Sequence, residues 1–171
     1  MGNLETSIRG RINKRRGEFM ENQIEDSLRW YRNRGLAEIE KTPEPMRVLS
    51  GMNAKGQFEA CFEKRAQPDF KGTLKGGRSV VFESKHTDSD RISQNVVTAD
   101  QWERLDKHEE LGAVAFVLVG MKSGEFYRVP WGVWKDMKRL YGYKHMKRSA
   151  LQIYRVPFVS GVIKLLDGLV E

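Results

Sequence analysis

Cysteine is almost absent: Cys61 is the single one in 171 residues, so no intramolecular disulfide can staple this fold. Histidine is nearly as scarce. His86, His108 and His145 stand at no metal-ligand spacing from one another or from Cys61, which argues against a zinc site. The longest apolar run, Leu111 to Met121, is broken by Gly112 and Gly120 and falls well short of the roughly 20 residues that span a bilayer. No apolar segment follows a basic start as in a secretory signal. No membrane association is therefore expected, and a reducing cytoplasm fits the cysteine usage. Gly72 to Gly77 does not end in Gly-Lys-Ser/Thr and no helix follows, so this is not a phosphate loop and no small-molecule cofactor is expected.

Acid is the minority charge, with 23 Asp and Glu against 30 Lys and Arg, a net charge of +7. The excess is concentrated in two places. Arg9, Arg11, Lys14, Arg15 and Arg16 fall together with no acid among them, a basic arm over residues 1–16 that reads as flexible. From Arg128 to Arg155 the cations meet a single acid, Asp136. Trp134, Met137 and Tyr141 recur there at helical spacing and read as core, whereas the charges read as a nucleic-acid surface. The chain is 39% hydrophobic, enough for one core of ordinary size.

Periodicity predicts a helix from about Glu18 to Arg34, with Met20, Ile24, Leu28 and Tyr31 on one stripe and Gly35 as its stop. Glu21 sits at the edge of that stripe, close enough to look into a cleft. Met46 to Leu49 and Gln57 to Glu63 read as a hairpin joined by the turn-rich Ser50 to Gly56. In that link Met52 offers an apolar contact and Lys55 a cation. Arg78 to His86 is a strand after a Gly-Gly turn, and Asp88 to Val97 reads as a mobile loop. Thr98 to Gln101 has the form of a capping box that opens a helix ending at Gly112. Ala113 to Val119 is apolar on both faces, a central strand, and Trp131 to Tyr141 is a further helix. The order of elements is that of an α/β sheet of mixed direction.

The chemistry centres on Asp69 and, 14 residues on, Glu83-Ser84-Lys85. Residues two apart on a strand share a face, so Glu83 and Lys85 project together. With Asp69 on the partner strand, two carboxylates and an ammonium converge. Hard oxygen ligands of this kind hold Mg²⁺ for phosphodiester hydrolysis, and the lysine orients water or offsets charge on phosphorus. The same residues are equally compatible with a strand pair carrying an ordinary Glu–Lys salt bridge. Lys71, Lys75 and Arg78 flank this segment as candidate phosphate contacts.

Five pieces carry a resemblance: Tyr31 to Pro45 (YRNRGLAEIEKTPEP), Pro68 to Gly72 (PDFKG), Phe82 to Lys85 (FESK), Gln101 in its helix, and Gly112 to Val119 followed by Phe126-Tyr127. In this order and spacing the chain resembles the RecU family of Holliday-junction resolvases, within the PD-(D/E)XK nuclease superfamily. The resemblance implies a restriction-endonuclease-like α/β core, a mixed sheet flanked by helices, over residues 17–141. It also implies a protruding hairpin stalk at about 46–63 that enters the junction centre. It implies a Mg²⁺-dependent homodimer, with Mn²⁺ able to substitute, that nicks four-way DNA junctions symmetrically. Asp69 and Glu83 would be metal ligands, Lys85 the catalytic lysine, Glu21 the acid of the first helix, and Gln101 a glutamine near the site. Val81 stands where an acid is expected before FESK, and Ala66-Gln67-Pro68 where hydroxyl residues are expected. Residues 142–171 read as a C-terminal extension with no assigned role. Two other readings stay open: a nuclease of the same superfamily acting on other branched or duplex DNA, and a non-catalytic DNA-binding protein on this fold.

Overall fold

The computed structural model describes residues 2–43, 46–62 and 67–170, with the side chains of all these except residues 2–14 and 62. Helix α1 (Gly2–Arg32) leads into β1 (Ala37–Lys41), β2 (Met46–Val48), β3 (Ala60–Phe62), β4 (Phe70–Leu74), β5 (Ser79–Thr87) and β6 (Arg91–Ser93). After α2 (Ala99–Glu110) come β7 (Val114–Met121), β8 (Phe126–Pro130), the short helices α3 (Trp131–Lys135) and α4 (Met137–Tyr141), β9 (His145–Lys147) and α5 (Arg148–Leu151). Three two-residue strands, β10 (Arg155–Val156), β11 (Phe158–Val159) and β12 (Val162–Ile163), complete the set.

Six strands form the central sheet in the order β1-β4-β5-β7-β8-β10. Within it β5 and β7 run parallel while the other neighbours are antiparallel, so the sheet is mixed, as expected. The crossover that a parallel pair needs is supplied by α2. β7 lies in the middle and is buried from Ala115 to Met121, which is why its sequence is apolar on both faces.

The sheet separates two apolar layers. On one face Ile24, Leu28 and Tyr31 of α1 pack on Phe70, Phe82 and Phe116. Those three rings stand on adjacent strands at registered positions and stack with centroids 4.8 and 4.6 Å apart. On the other face Val81, Val117 and Val119 meet Leu105 of α2 with Trp131 and Trp134. Each of these large apolar side chains contributes roughly 2–3 kcal/mol on burial.

Several segments differ from the sequence expectation. α1 starts at Gly2 and not near Glu18, so residues of the basic arm continue the helix. Arg, Lys, Glu and Ile are good or adequate helix formers and no proline interrupts them. Asp88 to Val97, expected to be a mobile loop, contains β6, which pairs with β9 and buries Ile92. Buried Gln94 ties the following turn down by donating to the carbonyls of Trp134 (2.7 Å) and Lys135 (3.0 Å). The helix expected over Trp131 to Tyr141 is split at Asp136 into α3 and α4.

The residues after Gly142 belong to the domain and are not an appended extension. β10 adds to the sheet edge, and Ile163, Leu165 and Leu166 are buried against α1. The Tyr31 hydroxyl donates to Asp167 (2.7 Å) and accepts from the Leu166 amide (3.2 Å). In the basic stretch read as a nucleic-acid surface, part of the cations pair with carboxylates, most of which other segments supply. Lys135 pairs with Asp106 (2.6 Å) and Glu109 (2.8 Å), Arg148 with Glu125 (2.7 Å), and Arg139 with Asp136. Arg128 donates to the carbonyls of Leu165 and Asp167, each at 2.9 Å. The Arg148 contact is strong enough to hold the Glu125 carboxyl down at about 2. The aromatic reading holds for Trp131 and Trp134, both fully buried.

β2 and β3 form a separate antiparallel pair outside the central sheet, in the register Met46↔Phe62, Arg47↔Cys61 and Val48↔Ala60. Its tip is organised by Asn53, whose Oδ1 accepts from the amides of Lys55 (2.9 Å) and Gln57 (3.0 Å). Met46, Val48, Leu49 and Met52 are all exposed. Among the described residues no helix is long and apolar enough to cross a membrane.

Candidate active site

The phenylalanine ladder sets the register of the chemistry. Phe70 of β4 opposes Phe82 of β5, so the residue before Phe70 faces the residue after Phe82 across the antiparallel pair. Those residues are Asp69 and Glu83. Gly72 lets β1 close on β4: a Cβ there would come within 2.0 Å of the Glu38 carbonyl oxygen. The Thr42 amide then donates to the Asp69 carbonyl (2.8 Å), fixing the backbone on that side.

Asp69 Oδ2 accepts from the amide of Ser84 (2.9 Å) and from its hydroxyl (3.3 Å). Glu83 Oε1 accepts from the Asp69 amide (3.3 Å), while Oε2 accepts from Lys85 Nζ (3.0 Å) and Gln101 Nε2 (2.5 Å). Gln101 Oε1 in turn accepts from Lys85 Nζ (3.2 Å). The capping box is present too, with the same Oε1 accepting from the Thr98 amide (3.1 Å). One glutamine therefore starts α2 and braces both the acid and the lysine.

Glu83 is completely buried. Its β5 neighbour on the same face is Val81 and its β7 partner is Val117, so its surroundings are apolar except for the groups named. Burial first, then the charge of Asp69, pushes its carboxyl up to about 8, and Lys85 offsets only part of this. With both carboxylates ionised, the pair would carry one negative charge more than its surroundings favour. A divalent cation would discharge that excess. The donor set fits Mg²⁺, which takes one or two carboxylate oxygens and keeps several waters. Asp69 and Glu83 are the residues that could hold it. Val81 supplies no further oxygen, and no group of three His, Cys, Asp or Glu suited to a metal ion occurs among the described residues.

Glu21 is not gathered into this cluster. Its carboxylate accepts from Lys41 Nζ (2.7 Å), whose ammonium pKa that bond raises, with the charges of Glu25 and Asp69 adding to the effect. Lys71 is exposed on β4 and donates to Gln67 (2.8 Å). Lys75 and Arg78 belong to the β4–β5 turn, and Arg78 lies about 16 Å from Glu83 at the strand rise per residue. Met52 and Lys55 stand exposed at the hairpin tip. Arg15 is exposed, Arg16 is paired with Asp88, and the side chains of Arg9, Arg11 and Lys14 lie outside the described residues. Sequence reasoning missed Lys41 and Ser84. Ser84 acts largely through its amide, which leaves no trace in residue type, and Lys41 reads only as the polar end of a strand.

The family model described as RecU, Recombination protein U, matches residues 15–165. A Holliday junction resolvase RecU of Staphylococcus saprophyticus is 31% identical over 126 residues, covering 70% of this chain and 60% of the relative. That of Streptococcus gordonii is 30% identical over 121 residues, 67% of this chain and again 60% of the relative. The chain thus spans about 60% of the length of each of these relatives. A Streptococcus sanguinis RecU, 26% identical, covers 91% of this chain and 86% of its own length. Among solved structures, Archaeoglobus fulgidus Hjc, a Holliday junction resolvase, aligns with a TM-score of 0.44 and 16% identity over 77% of this chain and 92% of that one.

Proposed function

The chain belongs to the RecU family, and from that membership we propose that it is a metal-dependent endodeoxyribonuclease resolving four-way DNA junctions. The observation that carries the reading is the convergence of Asp69, Glu83, Lys85 and Gln101 on one face of the sheet. Asp69 and Glu83 would hold Mg²⁺, for which Mn²⁺ would substitute. When bound, such an ion polarises a phosphoryl oxygen and lowers the pKa of a coordinated water. The protein's own groups do the rest. Ser84 holds Asp69 in place, and Gln101 keeps Glu83 and Lys85 at bonding distance. Lys85 Nζ has donor capacity beyond those two bonds and offsets charge gathering on the phosphate oxygens. Glu21 belongs to the wider acidic rim beside Lys41.

Junction preference falls to the β2–β3 hairpin, whose exposed Met52 and Lys55 suit base faces and converging phosphates. A homodimer would present two hairpins and two clusters, matching the two-fold symmetry of a junction and nicking opposed strands. Affinity comes from Arg9, Arg11, Lys14, Arg15 and Arg16, with Lys71, Lys75 and Arg78 as lesser contacts, all through phosphates. Such a substrate places its work in the cytoplasm.

The test is cleavage of a labelled four-way junction and a matched duplex, with and without Mg²⁺. Symmetric nicking of the junction alone is expected, lost in Asp69→Ala, Glu83→Ala and Lys85→Ala while junction binding persists. Equal cleavage of duplex would favour a nuclease of broader substrate, and undiminished cleavage by Glu83→Ala would remove the assignment.

A further inference from the structure

Lys85 and His86 are consecutive on β5, so their side chains leave the sheet on opposite faces. Behind His86, on the α1 side, lies a pocket of about 350 Å³ that the chemistry above does not use. Its wall on α1 is a stripe of Arg16, Phe19 and Gln23, three and four residues apart and therefore on one face of the helix. Lys122, from the β7–β8 turn, lines it too. The floor is apolar, made by Met20 and Phe126. Gly120 keeps that floor low, since a Cβ there would come within 2.6 Å of Met20 Sδ.

Two features mark the pocket as built for an anion carrying a flat apolar group. Arg16 is aimed by its ion pair with Asp88, and the same carboxylate stands 3.7 Å from His86 Nδ1. Lys122, which is exposed, adds a second cation to the lining beside Arg16. Phe19 is 64% exposed, a large aromatic left open at the pocket rim between a cation and an amide. A cation for phosphate, a ring for stacking and an amide for a base edge is the combination that holds single nucleotides.

We propose that this pocket receives an unpaired nucleotide of the DNA substrate, drawn from the strand that passes the catalytic cluster around the end of β5. Arg16 and Lys122 take its phosphate, Phe19 stacks on the base and Gln23 meets the base edge. The proposal rests on the nuclease reading above, because that reading brings a DNA strand to the neighbouring Lys85. A free mononucleotide has the same chemistry, and the test separates the two.

A four-way junction carrying one unpaired 5-iododeoxyuridine beside the crossover is bound in Ca²⁺, irradiated and mapped by mass spectrometry. Crosslinks are expected in segment 17–29, which carries Phe19. Crosslinks confined to the hairpin overturn the proposal. Phe19→Ala should weaken binding of this junction about tenfold and leave fully paired duplex unaffected. Equal affinity of variant and wild type for the unpaired probe overturns it while the nuclease reading stands. Calorimetric binding of thymidine 5′-monophosphate that Phe19→Ala abolishes, with DNA binding unchanged, overturns the DNA source in favour of the free nucleotide. Failure of the wild-type protein to bind or cleave any junction overturns the nuclease reading itself, and this proposal with it.

Discussion

Glu83 is the residue whose replacement should change stability in a direction opposite to most buried substitutions. Its carboxyl sits near 8 in the folded protein against an ordinary 4.5, so the folded state keeps a proton that the unfolded chain has already lost. Below pH 4.5 both states are protonated and the full benefit of folding is present. Between pH 4.5 and 8 the unfolded state is ionised while the folded state is not, and stability declines as pH rises. Above 8 the loss is complete. At about 1.36 kcal/mol per pH unit this amounts to a penalty on the order of 5 kcal/mol in metal-free protein. Glu83→Gln keeps the shape and the hydrogen bond to Lys85, and cannot ionise. In EDTA at pH 9 the variant should therefore unfold at higher urea than wild type, with the difference shrinking toward zero near pH 4.5. Groups that titrate in both proteins cancel in that difference. Adding Mg²⁺ at pH 9 should raise wild-type stability through binding to the ionised pair and leave the variant where it was. A difference between variant and wild type that does not change with pH would refute the reasoning.

Other outcomes follow from different parts of the molecule. Replacing Arg9, Arg11, Lys14, Arg15 and Arg16 together should weaken binding to every DNA shape and reduce the slope of log affinity against log salt by about 0.9 for each phosphate no longer neutralised; an unchanged slope would show that this segment does not touch DNA. Gly72→Ala places a methyl within 2.0 Å of the Glu38 carbonyl oxygen and should cost about 1–3 kcal/mol, read as a lowered melting temperature. Shortening Ser50 to Gln57 to an Asn-Gly turn should abolish preference for junction over duplex without lowering the melting temperature, since the hairpin adds nothing to either buried layer. A shortened protein that still resolves junctions at the original rate would move shape selection elsewhere.

The Met20, Ile24, Leu28 and Tyr31 stripe, the two-sided apolar strand from Ala113 and the capping box at Thr98 were all legible because each is a local regularity, readable from spacing within one element. The pairing of Glu83 with Lys85 on one face belongs with them, as alternation along a strand requires no knowledge of the fold. Tertiary structure decided the rest. Asp69 opposes Glu83 because Phe70, Phe82 and Phe116 stack across three strands and exclude any slipped register. Gln101 reaches Glu83 because α2 packs over β5 and β7, a placement its own sequence does not encode. Glu21 turns to Lys41, Lys135 to Asp106 and Glu109, and Arg148 to Glu125, through partners brought close only by folding. A charge shows its sign in the sequence, but which opposite charge it meets depends on long-range packing. For that reason Lys135 and Arg148 of the basic stretch meet carboxylates that its own segment does not contain, while a carboxylate of ordinary type is pushed up to about 8 chiefly by burial among the apolar strands around it.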